Sequence, residues 1–487
     1  MKPNKVFFAL ITLIIFAASG CSISSIKENN DILNGSFWKN QALQDIIPYW
    51  TQHALDHDNG AFITNLDREW NQFNGTDKFP GMISRHIFSY SVAFLLTGDE
   101  KYIEIASETV DFLLEHAWDK DYGGWFDTLN EKGNPVRLTK NYFMQTYSNT
   151  GLAMYYFVTH DPKVLQYIEK SNNIMETKRW DNKWGGYCSV LNQDLSVKSC
   201  IKSIGIQVSP VSGYLIYLYL ATREGKYLEQ MERIMDLILA RMQDPETEWI
   251  LEAFDREWNI KDDASKSRVH IGGNIEVAWM LYRLYLITGK KDYIERLESL
   301  TEKIVKWGFN KETGVWYDTL EISDPSIHKD SSVWWIQAYG NMYNLYLYRI
   351  FHDDKYIECF KKGANFWNNY FIDKEFGDTF ISTYANGKMR DGTKAHSSKT
   401  SYHSMEHSLL NYLCLDLWKN KKEVELNFLI TSPKKGQKLY PLPIEDKNIK
   451  LKKVIINGKT WKDFNKEEAY VNLPELQKIN IKAFLSQ

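Results

Sequence analysis

The stretch "WDKDYGGWFDTLNEKG", residues 118–133, decides the fold, because variants of it recur along the whole chain. They read "LDHDNGAFITNLDREW" from 55, "WDNKWGGYCSVLNQD" from 180, "QDPETEWILEAFDREWN" from 243, "FNKETGVWYDTLE" from 309 and "IDKEFGDTFISTYANG" from 372. The spacing is roughly 63 residues, the size of a helix-pair repeat. Midway between them runs a second series: "TGDEKY" at 97, "THDPKV" at 159, "TREGKY" at 222, "TGKKDY" at 288 and "HDDKY" at 352. Between the two series the apolar residues fall three and four apart, as in "MISRHIFSYSVAFLL" and "YIEIASETVDFLLEHAW", which is helical period. Each repeat therefore reads as helix, short turn, helix and hairpin-like loop, with the loop glycines permitting the turn. One such pair cannot bury its own apolar face, whereas a closed ring of them can. The pattern predicts an all-α (α/α)6 toroid over residues 36–422, with short turns on one rim and long aromatic loops on the other.

Both ends depart from this pattern. From residue 423 onward the sequence alternates, as in "VELNFLI" and "INIKAFL", and Asn457–Gly458 is a hairpin signal, so 423–487 reads as a small β appendage without candidate chemistry. The first 21 residues, "MKPNKVFFALITLIIFAASGC", place Lys2 and Lys5 before an apolar run and small residues before Cys21. That order is a signal peptide and resembles a bacterial lipobox. It implies cleavage before Cys21, lipid on its sulfur, a tether over 22–35, and an outer-membrane lipoprotein facing the periplasm or the cell surface. The membrane is then touched through the lipid anchor only. In such a compartment disulfides persist. Cys188 and Cys200 flank "SVLNQDLSVKS" symmetrically, so a hairpin sets them opposite one another, while Cys359 and Cys414 fall in helical patterns.

The chain has 487 residues, 44% of them hydrophobic, and a formal net charge of -3. That is enough for a large core, and no basic stripe points to nucleic acid. Seventeen Trp and 29 Tyr fill a core and also suit surfaces that stack on sugars while donating a hydrogen bond.

Residues 399–407, "KTSYHSMEH", hold His403, Glu406 and His407 in the order of an inverted zinc-protease signature. On a toroid this stretch opens the last inner helix, which is the wrong setting for a peptidase, and we assign no metal and no cofactor. The toroid instead resembles the N-acylglucosamine 2-epimerase family, which includes cellobiose epimerases and mannose isomerases. The resemblance is carried by "SRHIFSYS" with Arg85, "KNYFMQTYS" with Lys140 and Tyr142, "GGNIEVAWM" with Glu276 and Trp279, "VWWIQAYGN" with Trp334 and Trp335, and "KTSYHS" with His403. It implies that His403 is a catalytic base, that Arg85 holds substrate, and that Trp279 and Trp335 shape the pocket. Two departures stand out. Gly273 occupies the place of a second family histidine, with His270 three residues before it, and Ser209 aligns with a third.

With one assured histidine, the sequence favours a reaction that removes a proton beside a carboxylate without returning it. The expectation is a carbohydrate lyase: a dehydratase that eliminates water across C4–C5 of a uronic acid at the non-reducing end of oligosaccharides released from polysaccharide. His403 would be the base, Arg85 with Lys399 or Asn274 would meet the carboxylate, and Tyr339 or Tyr402 would be the acid. Glu276, Asn274, His270, Lys399, Lys140, Trp279, Trp334 and Trp335 would bind the sugar. The alternative is an aldose–ketose isomerase or 2-epimerase. A further alternative, a glycoside hydrolase, requires two facing carboxylates, and only Glu276 presents itself.

Overall fold

The computed structural model describes residues 30–487, and the signal segment, Cys21 and most of the tether lie outside the described residues. The last part of the expected tether is already folded: Asn30–Leu33 forms a 3-10 turn, Ile32 is buried, and its carbonyl accepts from Trp38 Nε1 at 2.8 Å.

Six helix pairs close into a ring. The outer helices are α1 (35–53), α3 (100–117), α5 (162–179), α7 (Gly225–Arg241), α9 (292–308) and α11 (355–371). The inner helices are α2 (Pro80–Thr97), α4 (Tyr142–Thr159), α6 (Ile204–Thr222), α8 (Ile271–Thr288), α10 (Trp334–Phe351) and α12 (402–419). Outer helices bury one stripe and inner helices are buried nearly all round, as expected for two concentric layers. Among the described residues, α6 alone is long and apolar enough to cross a membrane, and it is 89% buried within the ring. The ring closes where α1 meets α12: Asp416 Oδ1 accepts from the Gly35 backbone N–H at 3.0 Å.

The short-turn series of the sequence marks helix stops. The residue after the last inner turn is left-handed at Gly98, His160, Arg223, Gly289 and His352, with φ between 51 and 75°, which releases the next outer helix at once. Aspartates 99 and 161 then cap the helices they precede.

The long-loop series has a shared internal construction. Two or three residues after each outer helix stands Asp56, Asp119, Asp181, Asp244, Asn310 or Asp373, whose side chain accepts the backbone N–H groups two and three residues on, through one oxygen in five loops and through both in Asp244. In four loops a buried lysine takes the aspartate as well: Lys78–Asp56 at 2.8 Å, Lys140–Asp119 at 2.6 Å, Lys202–Asp181 at 3.5 Å and Lys394–Asp373 at 2.9 Å. A second clamp comes from amides in the first turn of the inner helices. Gln145, Gln207 and Asn274 each hold both backbone groups of one loop residue, Trp125, Tyr187 and Ile250. The loops pair as short antiparallel hairpins, and Cys188 and Cys200 are disulfide-bonded across the third.

The β appendage is a four-stranded antiparallel sheet (Val424–Thr431, Lys478–Ser486, Lys450–Ile456, Lys459–Trp461, in spatial order) with a smaller three-stranded sheet beside it. It docks on the far halves of the inner helices. Glu445 enters the ring, accepting from Arg283 of α8 at 2.5 Å and from Tyr346 of α10 at 3.0 Å, and Arg349 pairs with Asp446 at 2.8 Å.

A buried ion pair is dangerous to halve, because the remaining charge stays desolvated. Lys140→Met is therefore expected to lower unfolding stability by about 3 kcal/mol, and Asp119→Asn added to it to restore part of that. An unchanged denaturation midpoint in Lys140→Met contradicts the clamp.

Candidate active site

The loop-side ends of all six inner helices converge on one cavity of about 370 Å³. Arg85, Tyr147, Ser209, Glu276, Tyr339 and His403 come one from each inner helix, and Tyr142, Phe143, Trp334 and Trp335 add aromatic wall. The sixth loop contributes Ile381, His396 and Ser398.

Helices α2 and α4 touch so closely that a Cβ at Gly151 would lie 1.7 Å from the Ser84 carbonyl oxygen. Ser84 Oγ donates to the Ser148 carbonyl and accepts from the Gly151 N–H. That contact carries the next residue, Arg85, against Tyr147, with the guanidinium carbon 3.7 Å from the ring centre. Arg85 Nη1 donates to the Ser398 carbonyl at 2.6 Å, and Nη2 lies 3.5 Å from His403 Nε2. Its Nε has no hydrogen-bond partner, and among the described residues no carboxylate forms an ion pair with it. A buried cation without a counter-charge is ready for an anion or for charge that develops during a reaction.

A guanidinium only donates, so the His403 Nε2 facing it carries the lone pair. The His403 ring is boxed by Tyr402, Tyr339 and Trp334, with centroids at 4.5, 5.2 and 5.7 Å. Burial, followed by the charges of Arg85 and Lys399, holds its pKa well below the usual histidine value. The site thus contains a neutral imidazole whose Nε2 lone pair faces a cation that no carboxylate among the described residues answers.

Across the cavity, Glu276 Oε1 accepts from Ser212 Oγ at 2.5 Å. Ser212 sits where α6 widens into a π turn over Val211–Leu215, just after Pro210, a residue with no N–H to donate. Burial pushes the Glu276 carboxyl up to about 7, opposed by the Ser212 hydrogen bond. Tyr339 lines the cavity with a hydroxyl whose pKa burial raises well above the usual value, so it keeps its proton.

Several residues expected to meet the sugar are engaged elsewhere. Lys140 is the clamp on Asp119, and Lys399 is fully buried against Asp378 at 2.8 Å. Asn274 is spent on the Ile250 backbone, like its counterparts Gln145 and Gln207. His270 caps α8: Nδ1 accepts from the Gly273 N–H at 3.1 Å and Nε2 lies 3.4 Å from Asp318. Trp279 is buried between Tyr339 and Tyr346, under Arg283, and is not in the cavity lining. Tyr402 is buried between Phe88 and His403, again outside that lining. Gly273 opens no space in the cavity either, since a Cβ there meets Ile204 at 3.0 Å. The letters His403, Glu406 and His407 diverge on the helix. Glu406 accepts from Tyr217 at 2.7 Å, and His407 packs against Trp38 and Trp367 with Asn341 at its Nε2.

Phe143, Tyr147, His396 and Ser398 escaped the sequence reading. The first two stand four apart in "KNYFMQTYS", a helical spacing that could have revealed them. His396 and Ser398 lie in an aperiodic loop.

The sequence profile of N-acylglucosamine 2-epimerase (GlcNAc 2-epimerase) matches residues 60–406. A cellobiose 2-epimerase of Bacteroides fragilis is 26% identical over 380 residues, 74% of this chain and 93% of that protein. A D-mannose isomerase of Marinomonas mediterranea is 22% identical over 343 residues, 66% of this chain and 83% of that protein. The solved cellobiose 2-epimerase of Bacillus thermoamylovorans superposes with a TM-score of 0.71 at 21% identity, covering 78% of this chain and 98% of its own. These relatives overturn the expectation of a lyase or dehydratase. Of the residues assigned to that reaction, Lys399, Asn274 and Tyr402 are committed to the protein interior, while His403, Arg85 and Tyr339 line the cavity. The chain belongs to the N-acylglucosamine 2-epimerase family.

Proposed function

We propose that the protein is a sugar 2-epimerase or aldose–ketose isomerase, moving the proton on the carbon beside the carbonyl of an open-chain reducing sugar. One observation carries this reading: His403 Nε2, unprotonated, lies 3.5 Å from the guanidinium of Arg85, a cation with no carboxylate partner among the described residues, inside an aromatic cavity. Proton loss from C2 to His403 creates an enediolate. Its negative charge falls beside Arg85, so the attraction is stronger in the transition state than with the neutral sugar. The new charge on Arg85's neighbour also makes His403 a better proton acceptor as the step proceeds. Returning the proton to C1, with the O2 hydroxyl proton passing to O1, gives the ketose. A proton delivered to C2 from Glu276, on a different wall of the cavity, gives the epimer. The groups that surround Glu276 are Arg85, Tyr142, Tyr147, Ser212, His270, Tyr339 and Glu406. The substrates in the relatives' names, cellobiose and D-mannose, set the class to test, a reducing hexose or its disaccharide. Hydrolysis is disfavoured by the single carboxylate, Glu276, in the cavity lining. The signal segment with Cys21 supports placing this activity outside the cytoplasm on a lipid anchor.

Incubation with reducing hexoses and β-1,4-linked disaccharides in D2O should place deuterium at C2 with no other change in mass. His403→Ala should reduce exchange by at least about a hundredfold; wild-type protein that exchanges nothing contradicts the reading.

Glu276 must be protonated to form the epimer, and its pKa lies at about 7. Epimer formation relative to ketose should therefore be constant below about pH 7 and fall about tenfold per unit above it. A ratio independent of pH contradicts Glu276 as the donor.

Mass spectrometry of the mature N-terminus should find lipid on Cys21. An unmodified start at Met1 contradicts the anchor.

A further inference from the structure

We propose that His396 is a second catalytic imidazole, a neutral hydrogen-bond donor that serves the oxygen on which charge develops. The argument rests on the isomerase and epimerase reading above and on two opposed ring states. His403 Nε2 faces a guanidinium, which can only donate, so that nitrogen is an acceptor. His396 Nδ1 faces the backbone N–H of Ser398 at 3.1 Å, which also can only donate, so its proton resides on Nε2. Both rings line the same cavity. One presents a lone pair and the other an N–H, the two elements that proton transfer beside a carbonyl needs.

The loop that holds His396 is built to stay in place. Ala395 is tied by backbone hydrogen bonds to Leu66, His396 bridges to Lys399, and Lys399 is locked in its buried pair with Asp378. Ser398, which fixes the ring through its N–H, offers its carbonyl to Arg85 Nη1 at 2.6 Å. The His396 ring, held at Nδ1, and the guanidinium are therefore joined through one residue and belong to the same region of the cavity. Burial, then the charges of Lys399 and Arg85, brings the His396 pKa down to about 4, so the ring is a neutral donor across the working pH range.

In the step assigned to it, the C2–H proton passes to His403 and the C–H electron pair becomes the C1–C2 double bond. The carbonyl pair moves to O1, which the His396 Nε2–H and Arg85 receive. Transfer of the proton from His403 to C1, with the O2 hydroxyl proton passing to O1, forms the ketose; transfer from Glu276 to C2 re-forms the C1 carbonyl, after which the proton left on His403 returns to Glu276 through solvent, and in both cases His396 ends as it began.

Two amides separate this role from a structural one, because Asn reproduces the Nδ1 position and Gln reaches the Nε2 position. His396→Asn keeps the acceptor for Ser398 and loses the cavity donor. His396→Gln does the reverse. Deuterium exchange at C2 of mannose and cellobiose in D2O is followed for both, with KM and kcat separated. The proposal predicts that His396→Asn lowers kcat about a hundredfold or more with KM changed less than about threefold, and that His396→Gln recovers at least about tenfold of the loss. It is overturned if Asn restores activity better than Gln, if only KM moves, or if both variants stay within about threefold of wild type. Wild-type protein with no exchange on any reducing sugar overturns the functional reading and this proposal together. Exchange in wild type with failure of the amide pattern overturns this proposal alone.

Discussion

Arg85 brings a full positive charge to the floor of the cavity, and no carboxylate among the described residues comes to meet it. Everything else in the site is arranged around that charge. The close passage of α2 and α4 at Gly151 lays the guanidinium on Tyr147, the Ser398 carbonyl fixes one of its edges, and its other edge faces His403 Nε2. Burial, reinforced by this charge, keeps His403 unprotonated in the resting protein, and the charge favours the one moment when negative charge appears next to it. The same charge adds to burial and Lys399 in lowering His396, and it opposes the effect of burial on Glu276, so the base, the donor and the carboxyl all feel it.

Holding such a centre requires a stiff rim, which the repeat provides. Each long loop is turned by its own Asp or Asn and stitched to the ring by a buried lysine or by an amide on the following inner helix. At the opposite end the appendage inserts Glu445 against Arg283, which closes the ring's far side with a matched pair of charges. The cavity lies at the loop-side ends of the inner helices, and the aromatic residues at the starts of two of them, Tyr142, Phe143, Tyr147, Trp334, Trp335 and Tyr339, set its walls.

The ring was legible because its signals are local. Helical period, left-handed stops such as Gly98 and Gly289, and recurring loops all appear within a few dozen residues, and the motifs around Arg85 and His403 stand at helix starts where position is well defined. The clamps were harder to see, although Lys78, Lys140, Lys202 and Lys394 follow Asp56, Asp119, Asp181 and Asp373 at nearly constant distance. Read singly, Lys140 and Asn274 looked like residues waiting for a sugar; only their equivalence to other repeats shows them as scaffold. Gly273 misled most. A lost histidine suggested a changed reaction, but Ile204 fills that space from the adjacent helix, and His396, which no helical period picks out, stands in the cavity from a loop.

The most direct measurement is the ¹⁵N NMR titration of His403 in wild-type protein and in Arg85→Met. With Arg85 present, the ring should stay neutral well below the pH at which histidine normally titrates, with Nε2 unprotonated. With Arg85 removed, burial and the Lys399 charge remain, and the titration should move upward. An identical His403 titration in the two proteins, or a wild-type ring protonated at neutral pH, would contradict the claim that this unpaired guanidinium governs the base.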